Sequence, residues 1–299
     1  MGGGRYGGGC RSRDGDVHDG ILPSVLLSGA GVRARIRRVV TVDGAPAPLA
    51  YLQSLALANY GHFTTMRVEN GGVRGLSLHL DRLRRDCRAV FGADLDPARV
   101  VAYVRQAVAG HEAGAVMVRV TVFDPHLDML DLGAPADPHV MVTLRPAGTT
   151  APPPLRVKLC AFGRDAPAVK HVGLFSQFRL RREAQLTGFD DALFVGPGEC
   201  VSEGVTWNVG FVDAAGRVVW PEADVLDGVT LQLLRAAEAG SVTAPVPVGD
   251  LPRMRAAFAT NASVGVRAIR AIDGLTFPDE DEAVVRLGEL YGRVPCEAL

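Results

Sequence analysis

The chain holds almost no lysine. Lys158 and Lys170 are the only two in 299 residues, and the other 30 of its 32 basic residues are arginine. Chemistry that joins a carbonyl to the protein as a Schiff base needs an amine, which a guanidinium cannot supply, so such a mechanism has two candidates here. The Ala-, Gly- and Arg-rich composition depletes lysine everywhere, so scarcity alone does not mark either one as functional. The cysteines Cys10, Cys87, Cys160, Cys200 and Cys296 lack paired spacing. They form neither a disulfide framework nor a zinc site, and they fit reduced thiols in a cytoplasmic protein. No apolar run approaches the ~20 residues that span a bilayer. Net charge is -1 and no basic stripe interleaves with aromatics, so neither membrane nor nucleic acid is an expected partner. A Gly-x-x-x-x-Gly-Lys phosphate loop is also missing.

What is present is ample apolar material, 47% of residues, enough for two domains. Residues 1–20, rich in glycine and arginine, read as a disordered leader. Residues 34–52 suggest short strands around Asp43-Gly44. His62–Glu69 alternates as a strand and ends at Asn70-Gly71, a tight hairpin turn. From Ser77 the period becomes helical, with Leu76, Leu80, Leu83, Cys87 and Val90 as one apolar stripe. A second helix follows from Pro97 with Asp96 as its cap. Strands are expected at Val116–Phe123 and Val140–Leu144. Residues 147–154, with three consecutive prolines, divide a domain at 21–146 from one at 155–299. The second should hold a strand at Leu155–Cys160, helices near 174–187, 229–239 and 282–291, and strands near 207–212, 217–220 and 255–260. Hairpins are too frequent for a purely parallel sheet, which makes the fold class α/β with α+β character.

Lys158 alternates with aliphatic residues as a solvated strand face would. Lys170 lies among small and apolar residues at an element boundary, where desolvation lowers a lysine's pKa and improves it as a nucleophile. Glu203, between apolar stretches, needs a partner: a protonated heterocycle or an arginine. Leu226-Asp-Gly-Val-Thr230 opens a helix whose free amides at Val229 and Thr230 can hold a phosphate, as any helix start can.

Several segments in order carry a resemblance: GHFTTMRVENG, HLDRL at 79–83, VKH at 169–171, EAQLTGFDDALFV at 183–195, VSEGVTWNVGFV at 201–212, LDGVT at 226–230 and TNASVGVRAI at 260–269. From about Ala56 to Gly274 the chain resembles the class IV aminotransferases, fold-type IV pyridoxal-phosphate enzymes that include branched-chain and D-amino-acid aminotransferases and aminodeoxychorismate lyase. The resemblance implies a two-domain fold with a smaller N-terminal α/β domain and a larger C-terminal domain with a barrel-like sheet. It also implies pyridoxal 5'-phosphate between them and a homodimer. Lys170 would be the Schiff-base lysine and proton carrier. Glu203 would face the pyridine nitrogen, and Arg82, Val229 and Thr230 would hold the phosphate. Ala262 stands where aminotransferases place a hydroxyl, with Ser263 as a substitute.

The reaction stays open. Phe63-Thr64-Thr65-Met66-Arg67 and Asn261-Ala262 are similar to the lyase segments. The strand around Arg119 does not carry the arginine where D-amino-acid aminotransferases bind carboxylate. Arg119 either reads a carboxylate or makes a structural ion pair, and Trp207 either lines the pocket or packs the sheet. His62 and Thr64 join them as candidate substrate contacts. Three readings follow: amino transfer between an amino acid or related primary amine and a 2-oxo acid, pyruvate release from aminodeoxychorismate, and a non-catalytic binding protein.

Overall fold

The computed structural model describes residues 39–109, 114–148 and 151–299. The leader expected at 1–20 and the middle of the 147–154 linker lie outside the described residues. The first sheet begins with β1 (Val40–Val42), β2 (Ala45–Pro46), β3 (His62–Glu69), β4 (Gly72–Arg74), β5 (Val116–Phe123) and β6 (His139–Pro146), every pair antiparallel. Asn70 and Gly71 both take positive φ, 51° and 72°, the geometry that lets two residues join β3 to β4. Helices α1 (Leu49–Ala58), α2 (Leu76–Phe91) and α3 (Pro97–Val108) complete this half. α2 and α3 bury Leu83, Cys87, Val100 and Val104 against Met66, Val68, Val118, Val120 and Val142.

The strand expected up to residue 52 is cut short, because α1 starts at Leu49. Pro48, extended at φ -63° and ψ 137°, opens a run of Leu and Ala with high helix propensity, and Asn59 in the left-handed region closes it. The apolar stripe read on α2 is also only part of its inward face. Leu83 and Cys87 are buried beside His79, Arg82 and Asp86, which are buried as well.

The second sheet contains β7 (Leu155–Ala161), β8 (Asp191–Val195), β9 (Val201–Gly204), β10 (Asn208–Val212), β11 (Val218–Pro221), β12 (Val242–Ala244), β13 (Ala256–Asn261), β14 (Gly265–Ile272) and β15 (Leu275–Thr276). Six of them run β10-β13-β14-β7-β8-β9, and β9 then pairs back onto β10 through Glu203 and Asn208. That pairing closes a barrel. The architecture is therefore a two-domain α/β fold with a closed, barrel-like sheet in the C-terminal domain. α4 (Phe175–Leu186) lies against β7 and β8, while α5 (Val229–Ala237) and α6 (Glu282–Arg293) cover β13 and β14.

One last strand, β16 (Cys296–Ala298), returns to the first sheet and pairs antiparallel with β4. Its Glu297 carboxylate accepts from the Ser77 amide at 2.9 Å and the Ser77 hydroxyl at 3.1 Å. This supplies α2 with the cap that its own Gly75 cannot.

Candidate active site

A cavity of about 430 Å³ lies over the odd-numbered face of β3, β5 and β6 and the mouth of the barrel. Phe63 and Thr65 from β3, Arg119 from β5, and Thr143 and Arg145 from β6 supply one wall. Strand parity decides this, since neighbouring residues point to opposite faces. His62 and Thr64, expected as substrate contacts, fall on the helix side and do not line the cavity. His62 is fully buried with both ring nitrogens unpartnered, and burial pushes its pKa down to about 3, so it is a neutral packing residue. Thr64 contacts the ligand space only through others, because its hydroxyl bonds His79 at 2.7 Å and accepts from Arg82.

Lys170 sits in the irregular segment between β7 and α4. Its carbonyl accepts from the Phe63 amide at 2.8 Å, and its amide donates to Asp86 at 2.9 Å. Nζ stands 5.0 Å from the centre of the Phe63 ring, whose other neighbour is the Arg119 guanidinium at 3.6 Å. Burial foremost, then the cations Arg82, Arg164 and Arg119, lower the Lys170 pKa to about 7 despite the opposing pull of Glu203. A large share of this amine is neutral at pH 7. Lys158 lies elsewhere, reaching Thr187 at 3.3 Å, and does not line the cavity.

Glu203 sits at the barrel seam and makes an ion pair with Arg164, each side chain only 4% exposed. Burial raises its pKa above the usual carboxylate range, and Arg164 pulls against that rise. Asn208, its partner across the seam, donates to the Leu226 carbonyl at 2.8 Å and so ties the start of α5 to the barrel. A Cβ on Gly228 would lie 2.1 Å from the Asn208 amide oxygen, so only glycine fits there.

At the other end, several buried polar atoms have no partner: Arg82 Nε, His79 Nε2, Thr230 Oγ1 and Thr260 Oγ1, all on residues that line the cavity. The Tyr291 phenol approaches the Thr230 hydroxyl without reaching hydrogen-bond geometry. Burial, with Arg82 and Lys170 nearby, drives the His79 pKa well below its ordinary value. Its Nδ1 faces the Thr64 hydroxyl and an Arg82 nitrogen, which leaves the proton on Nε2. α5 starts at Gly228 without a side-chain cap, so the amides of Val229 and Thr230 are open. Orphaned donors of this kind cost stability unless a ligand satisfies them, and a dianionic phosphate matches them in charge and number. Ala262 and Ser263 line the same end, where the Ser263 amide is taken by the Asn261 side chain at 2.9 Å.

Thus Lys170, Arg82, Glu203, Val229, Thr230, Ala262, Ser263, Arg119 and Trp207 all line one cavity. The Trp207 indole N–H donates to Asp191 at 2.9 Å, and that carboxylate also takes two bonds from Arg181. Trp207 is a fixed wall. Arg164, Arg181, Arg145, His79 and Thr260 escaped sequence reading. Only His79, three residues before Arg82 on a helix, had a spacing that could have revealed it. Five arginines and a lysine face one carboxylate, so the cavity selects anions.

A barrel mouth with a desolvated lysine, a seam carboxylate and an anion cradle defines a fold-type IV pyridoxal-phosphate enzyme. Solved structures share the fold. A branched-chain aminotransferase from Thermoproteus uzoniensis superposes with a TM-score of 0.76 at 19% identity, over 85% of this chain and 93% of that one. The PLP-bound hypothetical aminotransferase from Mycobacterium tuberculosis gives 0.74 at 18%, over 85% and 98%. The branched-chain aminotransferase from Escherichia coli gives 0.76 at 15%, over 86% and 94%. Among curated proteins no sequence matches. The family model for amino-transferase class IV matches residues 61–272, and the chain belongs to that family. It is a pyridoxal-phosphate-dependent, aminotransferase-like enzyme, and the orphaned donors above fit its cofactor. No helix among the described residues is long and apolar enough to cross a membrane.

Proposed function

We propose that the protein transfers an amino group between an amino acid or related primary amine and a 2-oxo acid. One observation carries this reading: the desolvated Lys170 amine, with a pKa of about 7, lies in the same cavity as the orphaned anion cradle and the buried Glu203. Arg82, His79, Thr230, Thr260 and the first amides of α5 would hold the phosphate. Glu203 would hold a proton on the ring nitrogen of the bound cofactor, since carboxylate and pyridinium favour each other's charged forms. Pyridoxal phosphate, when bound, supplies an aldehyde that captures amines and a ring that accepts the electron pair left at Cα. Lys170 would act as the proton carrier, taking the proton from substrate Cα. A base with a pKa near the working pH suits both halves of that transfer. Arg119, which shares the Phe63 ring with Lys170, would hold the substrate carboxylate, while the buried Trp207 and Leu174 exclude water.

The Phe63-Thr64-Thr65-Met66-Arg67 segment keeps a second reading in view, a lyase releasing pyruvate and 4-aminobenzoate from aminodeoxychorismate. Its Phe63 and Thr65 line the cavity, and the surplus of arginine suits a substrate with two carboxylates in either reaction. A homodimer is part of the same proposal. α1 buries none of its residues and leaves Leu49 and Leu57 exposed, a face suited to a second copy.

The test is a paired assay on the holoenzyme. Amino transfer predicts accumulation of pyridoxamine phosphate with at least one amine from a broad panel, whereas the lyase predicts pyruvate without an acceptor. Lys170→Ala should lose the borohydride-fixed adduct and Lys158→Ala should keep it. The reverse pattern overturns the assignment.

A further inference from the structure

Asp86 is a fully buried carboxylate that does not line the cavity. It lies on α2 four residues after Arg82, on the same inward face, about 6 Å further along the axis. One of its oxygens accepts the Lys170 backbone amide at 2.9 Å, and the other accepts from Arg85 at 3.2 Å. The segment around Lys170 belongs to no helix or strand ladder, so this amide has no regular backbone partner. The Lys170 carbonyl is held from the other side by the Phe63 amide, and the Val172 amide by Gly61 at 2.9 Å. Burying a carboxylate under a helix is costly, and its burial raises the Asp86 pKa even with Arg85, Arg82 and the Lys170 amide pulling it down.

We propose that Asp86 is a positioning residue: it grips the backbone of Lys170, so that one rigid helix sets the spacing between the Arg82 end of the phosphate cradle and the lysine amine. This rests on the role proposed for Lys170. The reach matters because the neutral Nζ must meet the aldehyde carbon of a cofactor whose phosphate is already anchored on α2, forming the C=N bond as one water leaves. A simpler role, counter-charge for Arg82 and Arg85, would need the charge of Asp86 but not its bond to Lys170.

Two ligands separate these roles. Pyridoxal 5'-phosphate needs Lys170 for covalent capture, while pyridoxamine 5'-phosphate carries no aldehyde and uses the phosphate cradle and Glu203 alone. In Asp86→Ala and Asp86→Ser, affinity for pyridoxal 5'-phosphate should fall roughly 10- to 100-fold, the size of one lost buried hydrogen bond to a charged group, while that for pyridoxamine 5'-phosphate stays within about twofold. Asp86→Asn retains an oxygen acceptor without the charge and should restore capture. Parallel loss of both affinities, unchanged capture in Asp86→Ala, or an Asn variant as poor as Ala would each overturn the proposal. If neither truncation folds, hydrogen exchange at the Lys170 amide of the wild-type holoenzyme decides: slow exchange supports the grip, and exchange at the rate of an open amide removes it. Failure of the underlying reading looks different, because the wild-type adduct would then not map to Lys170.

Discussion

Replacing Arg164 by leucine leaves Glu203 buried with no arginine beside it. Both side chains are 4% exposed, and removing one partner of such a pair costs about 3–5 kcal/mol. Losing Arg164 also removes one of the cations that lower the Lys170 pKa, so that amine offsets part of the cost. Burial already holds the Glu203 pKa above its ordinary 4.5, and without the charge and hydrogen bond of Arg164 it climbs further. A carboxyl with a raised pKa binds more protons in the folded state than in the unfolded one. Stability therefore falls as pH rises from the unfolded value through the folded one. The deficit of Arg164→Leu against wild type should be small near pH 5 and full at pH 8. Urea unfolding of the cofactor-free proteins, followed by tryptophan fluorescence at the two pH values, measures it. If Glu203 faces the ring nitrogen as proposed, adding pyridoxal phosphate should narrow the gap at pH 8, because a protonated ring would bring a cation to Glu203. An equal deficit at both pH values would mean that Arg164 acts by packing, and the electrostatic reasoning would be wrong.

Two further outcomes are expected. The rate of covalent capture by Lys170 should rise through pH 7 as the neutral amine accumulates, and an inflection near the ordinary lysine value of 10.5 would contradict the desolvated site. Arg82→Leu should lose roughly 10- to 100-fold in affinity for pyridoxal 5'-phosphate but little for pyridoxal, which lacks the phosphate. Equal losses for both, measured by equilibrium titration, would take Arg82 out of the phosphate cradle.

The strands with clean alternation were legible: His62–Glu69 and Val116–Phe123 form as read, and so does the Asn70-Gly71 turn. The helices at 97–108, 175–186, 229–237 and 282–293 fall within a few residues of their expected bounds. The strands β8, β9 and β14 were missed as strands, because their short apolar runs carry no period that separates strand from buried helix. Alternation also could not say which face of β3 meets the ligand. His62 and Thr64 were chosen where parity gives the cavity Phe63 and Thr65. Arg164 and Asp86 were invisible for another reason. Each works through a partner, 39 and 84 residues away, that only the folded chain brings near.

The cap that Glu297 gives to α2 joins positions 220 residues apart. α2 leaves the ribosome early, carrying Arg82 and Asp86, but its first turn is not satisfied until residue 297 has also emerged. The helix that carries Arg82 therefore completes its first turn only with the last strand, and removing the Glu297 carboxylate should loosen one edge of a cavity whose lining runs from Phe63 to Ser263.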